Sequence, residues 1–403
     1  MQLYEPGFLQ QARQKLGVTD MWVTYSWGFA DSTEQPDRDY MVGRLDHFHR
    51  HDIAAHAYVQ GLNVVAGEFA GSDIFCRDTK GNMLRYSKGR GLTCPNNPAA
   101  RQIILDRVAA ACKHEFSGVF VDNILFGLPP FFVRRDYTSF FGCACPHCQR
   151  AFRDHFGYDL PLRGISGEKQ LVDYLEFRCQ SVAALVAELS QVARGSGKQF
   201  GVNLYDPLWH SPEIYFGYHL AQIAPLLDYY LIENHALGKN GGIDNRHLTP
   251  LIDSTPRKPV FVVSYRYGIG YDAAYNQREL DTIWSDAHWL GYAPCMKATE
   301  FVTRGVWHAL DLDHLDAPAL HPLAHAARIS DALPLRCSLP AERPLIHWGS
   351  RYYARLIQLS FEHKWLARLL VRSRLVVILM RMYRKYNLDV LDALALPDSP
   401  GWV

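Results

Sequence analysis

Three thiols stand within six residues in Cys143-Ala144-Cys145-Pro146-His147-Cys148. Thiolates this close together are usually gathered by a soft metal, and zinc takes four nitrogen or sulfur ligands in a tetrahedron. Two residues compete for the fourth position. Cys94, in Cys94-Pro95-Asn96-Asn97-Pro98, belongs to a long loop expected on the same face as residues 123–150. His147 is nearer in sequence, but bonding beside its own neighbours would strain the chelate. Four protein ligands leave no open coordination position, so the expected role of a Zn2+ here is structural.

Carboxylates supply the second chemistry. Asp122 closes the apolar run Gly118–Asp122, Glu233 closes Asp228–Glu233 ahead of Asn234 and His235, and Glu300 closes Met296–Glu300. An acid at the end of an apolar strand is expensive unless it has a partner or a task. Cleavage of a glycosidic bond needs two carboxyl groups, one to protonate the leaving oxygen and one to act as nucleophile or to activate water. Lys297 and Thr299 share a face by the two-residue period of a strand, so Glu300 points away from a lumen that Lys297 faces. Asp122 and Glu233 are therefore the expected pair and Glu300 the rival. Trp27, Tyr58, Asn123, Asn203, Tyr205, Asn234, Tyr265, Arg266 and Lys297 occupy neighbouring strand ends. Each is placed to bind hydroxyls or stack on a ring, or else to fill the core below the rim. Arg266 could also hold the carboxylate of an acidic sugar.

The elements that must position these groups are short apolar runs alternating with helical stretches. Strands are expected at Met21–Trp27, Ala54–Val59, Gly118–Asp122, Phe200–Tyr205, Asp228–Glu233, Val260–Tyr265 and Cys295–Phe301, with helices such as Pro98–His114 and Lys169–Arg194. Strands apolar on both faces and followed by helices imply a parallel sheet with crossovers. Seven of them over roughly 300 residues, without a glycine-rich nucleotide fingerprint, fit a (β/α)₈ TIM barrel better than an open sheet. The remaining strand is expected in Asn63–Phe69, or distorted by the excursion Gly71–Asn97.

The cysteine run followed by Gln149-Arg150-Ala151-Phe152, with the upstream Cys-Pro-Asn-Asn-Pro, resembles the metal loop of family 42 glycoside hydrolases and of a looser group of related proteins. That resemblance implies a (β/α)₈ barrel and zinc on Cys94, Cys143, Cys145 and Cys148. It does not carry the β-galactosidase mechanism across. Ile124 stands where that family has its acid/base Glu, in Val121-Asp122-Asn123-Ile124, and Val260–Gly268 holds no acid for the nucleophile. An Asp and a Glu two strands apart instead resemble the layout of retaining α-galactosidase-type barrels.

The expected function is a glycosidase, with Asp122 as nucleophile and Glu233 as acid/base. The alternative is a barrel that binds carbohydrate without cleaving it. A net charge of +1 gives no reason to expect a nucleic-acid partner. No basic start followed by an apolar run opens the chain, and nine cysteines is an odd count, so a cytoplasmic setting without a disulfide framework is expected. Three divisions are expected: a barrel over 1–312, a helix and linker over 313–343, and a small basic segment over 344–403. Within the last, Arg351–Lys385 carries nine Lys or Arg against one Glu, which suits helices of an appended domain or an anionic membrane surface. Asn387–Asp398 resembles a strand of the flavodoxin-like trimerisation domain of related barrels, so a truncated remnant is expected and the oligomeric state is open.

Overall fold

The computed structural model of the chain describes residues 2–87, 89–127, 143–162, 168–205, 216–234, 258–265, 269–270, 273–302 and 305–321. Seven parallel strands form one sheet: β1 (Asp20–Ser26), β2 (Ala54–Gln60), β6 (Gly118–Asp122), β7 (Gln199–Tyr205), β8 (Tyr230–Asn234), β9 (Val260–Ser264) and β10 (Ala293–Cys295), in that spatial order. Their Val, Leu, Ile, Phe and Ala side chains are buried against helices outside and against one another within. Helices occupy most crossovers: α1 (Pro6–Leu16) precedes β1, followed by α2 (Asp31–Val42), α3 (Leu45–Arg50), α4 (Pro98–Cys112), α5 (Pro146–Phe156), α6 (Glu168–Gly195) and α7 (Gln277–Leu290). This is the α/β barrel architecture expected of repeated β-then-α order.

The sheet curls until its far members meet. Trp22 on β1 packs edge-on against Phe261 on β9 with ring centroids 4.8 Å apart, and its indole N–H donates to the Tyr229 hydroxyl at 3.1 Å. Phe120, Tyr229 and Leu231 complete this lumen core. The edge strands β1 and β10 are not hydrogen-bonded to each other among the described residues.

Two expectations about strands are corrected. β2 pairs directly with β6, so no strand enters between them. Asn63–Val65 (β3) is a strand, but it pairs antiparallel with Arg90–Leu92 (β5), which pairs with Arg85–Ser87 (β4), in a separate small sheet. The excursion to Asn97 thus folds on itself because its own residues satisfy its backbone. The apolar run Cys295–Phe301 is also divided: β10 ends at Cys295, and β11 (Thr299–Val302) makes a hairpin with β12 (Gly305–His308). Residues 311–321 then return along the barrel, with Lys15 donating to the Leu312 and Leu315 carbonyls and His321 N–H donating to Ser285. The basic segment and the Asn387–Asp398 run lie outside the described residues. No helix among the described residues is long and apolar enough to cross a membrane.

Candidate active site

Asp122 ends β6 and Glu233 lies at the penultimate position of β8, so both carboxylates rise from the C-terminal ends of the parallel strands. Between them runs β7, whose Asn203 is buried to 5% exposure. Its amide nitrogen donates to Asp122 Oδ1 at 2.7 Å and to Glu233 Oε2 at 2.8 Å. These two oxygens share one donor atom, so their separation cannot exceed the two legs laid end to end, 5.5 Å.

Asp122 is surrounded by donors. Besides Asn203, it accepts from the Tyr58 hydroxyl, from the Asn123 backbone N–H at 2.7 Å and from the Asn123 side-chain amide at 2.7 Å. Burial is the first cause that raises its pKa to about 6, and the like charge of Glu233 is the second; the hydrogen bonds from Tyr58, Asn203 and Asn123 act the other way. The Tyr58 hydroxyl is held protonated, its pKa raised far above the usual phenol value by burial and then by the Asp122 charge. On the other side, the Tyr265 hydroxyl donates to Glu233 Oε1.

Local backbone explains how Asp122 is aimed. Asn123 has φ +55°, a left-handed conformation that Asn tolerates better than most residues, and this turns the chain sharply off the strand. Gly61 N–H donates to the Asp122 carbonyl at 2.8 Å, and Leu62 N–H to that of Asn123 at 2.8 Å, locking the exits of β2 and β6 together. A Cβ at Gly61 would lie 2.4 Å from the Asp122 carbonyl oxygen, so only glycine permits this approach.

The other expected positions divide. Trp27, Tyr58, Asn203, Tyr265 and Lys297 border the same cavity of about 540 Å³ as Asp122 and Glu233. Trp27 stacks obliquely on Tyr58 at 5.0 Å, and the Lys297 ammonium lies 4.7 Å from the Tyr265 ring centre. Asn123 is brought to Asp122, while Tyr205 and Asn234 lie at the ends of their strands. Arg266 falls outside the described residues. Glu300 belongs to the β11–β12 hairpin rather than to the last barrel strand, which corrects its expected position. Arg90 escaped sequence reasoning: its guanidinium holds Asn63 at 2.6 Å and the Trp27 carbonyl at 2.5 Å. It lies in the excursion, where no periodic pattern signals an inward side chain.

The four cysteines Cys94, Cys143, Cys145 and Cys148 come together, all buried, with their sulfurs within 4.8 Å of one another. Cys94 Sγ is 3.3 Å from Cys148 Sγ and 3.6 Å from Cys145 Sγ. A tetrahedral ion about 2.3 Å from each sulfur needs sulfurs roughly 3.8 Å apart, so the cluster fits a metal after small adjustment. Helix ends build it. Asn97 caps α4, accepting from Ala99 and Ala100 N–H at 2.9 and 3.3 Å, and thereby fixes the turn that carries Cys94. Cys145 is the N-cap of α5 and Cys148 lies in its first turn, where the helix dipole favours thiolate charge. Backbone N–H groups of Arg77 and Cys145 point at Cys143 Sγ at 3.4 Å, and the Asn96 amide at Cys148 Sγ at 3.4 Å, as second-layer donors to bound thiolates do. His147 is not part of the cluster.

No protein-family model and no curated protein matches this sequence. Solved structures do. The glycoside hydrolase domain of PgaB (BpsB) from Bordetella bronchiseptica is similar at a TM-score of 0.50 and 13% identity, over 72% of this chain and 88% of that one. A β-galactosidase from the haloarchaeon Halorubrum lacusprofundi gives 0.53 at 13% identity, over 73% of this chain and 50% of that one. The cold-adapted β-galactosidase from Rahnella sp. R3 gives 0.51 at 14% identity, over 73% of this chain and 48% of that one. This chain therefore spans about half the length of the two β-galactosidases it matches. At such identities the likeness is one of fold, and the fold is that of glycoside hydrolase barrels.

Proposed function

We propose that the chain is a glycoside hydrolase acting on an oligo- or polysaccharide with retention of configuration. One observation carries the reading: two carboxylates at strand ends, facing one cavity and no more than 5.5 Å apart through Asn203. Retaining enzymes hold their carboxyl groups about 5–5.5 Å apart, whereas inverting ones leave room for water at about 6.5–9.5 Å. The fold shared with glycoside hydrolases supports the class.

The donors suggest the roles. Asp122, accepting from Tyr58, Asn123 and Asn203, suits an ionised nucleophile, and Glu233 is left as the proton carrier. Asp122 attacks the anomeric carbon while the glycosidic bond breaks, and the leaving oxygen takes the proton from Glu233. Glu233, now a carboxylate, removes a proton from water; the water oxygen bonds to the anomeric carbon and releases Asp122. Trp27 offers a ring to stack on, and Lys297 a cation at the cavity wall. The four-cysteine site we assign to zinc, held by Cys94, Cys143, Cys145 and Cys148, with a structural task.

A screen of aryl α- and β-glycosides tests this. A cleaved substrate, with Asp122→Asn and Glu233→Gln each lowering kcat by at least about a thousandfold on an intact fold, is the expected result. Proton NMR of the first-formed anomer reads the stereochemistry. Inversion would overturn the retaining assignment, and full activity in either variant would overturn the pair.

A further inference from the structure

The cavity beside the carboxylates is not confined to the lumen. Its walls include lumen side chains such as Trp22, Phe120 and Phe261, and also Leu3, Phe8 and Leu16 of the N-terminal segment and Trp284 of α7, which belong to the outer layer. In a closed barrel the strands separate these two sets. Here they border one space at the edges of the sheet, the seam where β1 and β10 are not hydrogen-bonded to each other among the described residues. The seam is flanked by α1 and residues 310–316, which Gln11 and Lys15 tie together through Asp313, Leu312 and Leu315. Beside Thr19, Asp20 and Thr24, the lining there presents carbon from Val18, Met21, Ala293, Pro294, Met296 and Leu310. Water against those carbon walls has few partners and is readily displaced by an apolar group.

We infer that this recess receives an apolar, chain-like portion of the ligand. On the hydrolase reading of the carboxylate pair, on which this assignment of substrate class rests, that portion is the alkyl aglycone of an oligosaccharide whose reducing-end sugar sits between Asp122 and Glu233. The continuity of the cavity supports it: a group joined to the sugar through the cleaved oxygen can enter the seam without leaving the space that holds the carboxylates.

The test uses sugar-free probes, so that it does not depend on which sugar is cut. Titration calorimetry of the full chain with 1-butanol, 1-hexanol and 1-octanol should show affinity rising roughly three- to fourfold per added methylene. Val18→Trp, which fills the seam, should abolish that gain; Ala293→Leu is the second variant should Val18→Trp fail to fold. Affinity independent of chain length, or equal in the wild type and the folded variant, overturns the inference. Failure of the hydrolase reading is distinguishable: alkanols then bind with the expected increments while no glycoside is cleaved. Cleavage of glycosides by a protein that ignores the alkanols leaves the hydrolase standing and removes the apolar subsite.

Discussion

The ionisation of Asp122 is set by opposing neighbours, and each can be removed separately. Glu233 raises its pKa by like charge, and the Tyr58 hydroxyl lowers it by donating to the carboxylate. If the carboxylate form is the nucleophile, activity is lost as pH falls through about 6, the value to which burial and Glu233 push Asp122. Tyr58→Phe should move that acidic limb to higher pH, with kcat lower by about tenfold, as read from a pH–rate profile. Glu233→Gln should move the titration of Asp122 the other way, below about 6, which carbon-13 NMR of the labelled carboxyl can follow in the inactive variant. An acidic limb unmoved in Tyr58→Phe, or an Asp122 titration unmoved in Glu233→Gln, would separate the acidic transition from Asp122. Asn203, expected to bind substrate, borders the cavity, and its amide nitrogen also spaces the two acids.

At the level of elements, the join between β2 and β6 and the cysteine clamp each make a prediction. Gly61→Ala must displace the Asp122 carbonyl, so it should cost about 1–3 kcal/mol in urea unfolding and reduce hydrolysis more than stability alone explains. On the zinc reading of the cluster, removing the metal, or substituting Cys148→Ser, releases the cross-link between Cys94 and Cys148, 54 residues apart. A closed loop of that size is worth about 4 kcal/mol, so the melting temperature should fall and trypsin should cut at Arg77, Lys80 or Arg85 before the sheet opens. Resistance at those sites in the metal-free protein would count against the clamp. Much of this was legible from sequence. Gly118–Asp122 was found with its ends intact because an apolar run closed by an acid is a local signal, and the three-thiol run pointed to its own cluster. The hairpin at Thr299–Val302 was not, since its apolar residues continue those of β10 and nothing in their types marks where the chain leaves the barrel. The direct pairing of β2 with β6 is non-local, and residue types carry no trace of it.

For the whole molecule, Gln11 donates to Asp313, and the backbone N–H groups of Asp316, Ala319 and His321 donate to Gln277, Asp281 and Ser285, which holds that stretch against the barrel. We propose that a chain ending at residue 321 folds and keeps the cavity, whereas one ending at 312 melts lower; circular dichroism melts of both chains check this, and equal melts would refute it. The cysteine site also has a consequence for biosynthesis. Cys94 leaves the ribosome before β6 exists, and Cys148 follows 54 residues later. At about 5–20 residues per second, Cys94 waits roughly 3–10 s without its partners. During that interval its thiol is open to oxidants and stray metals, and a wrong bond would tether the excursion before the sheet has a third strand to hold it. On the zinc reading, the yield of folded protein should therefore follow the zinc and thiol status of the cell during synthesis more closely than the stability of the finished barrel.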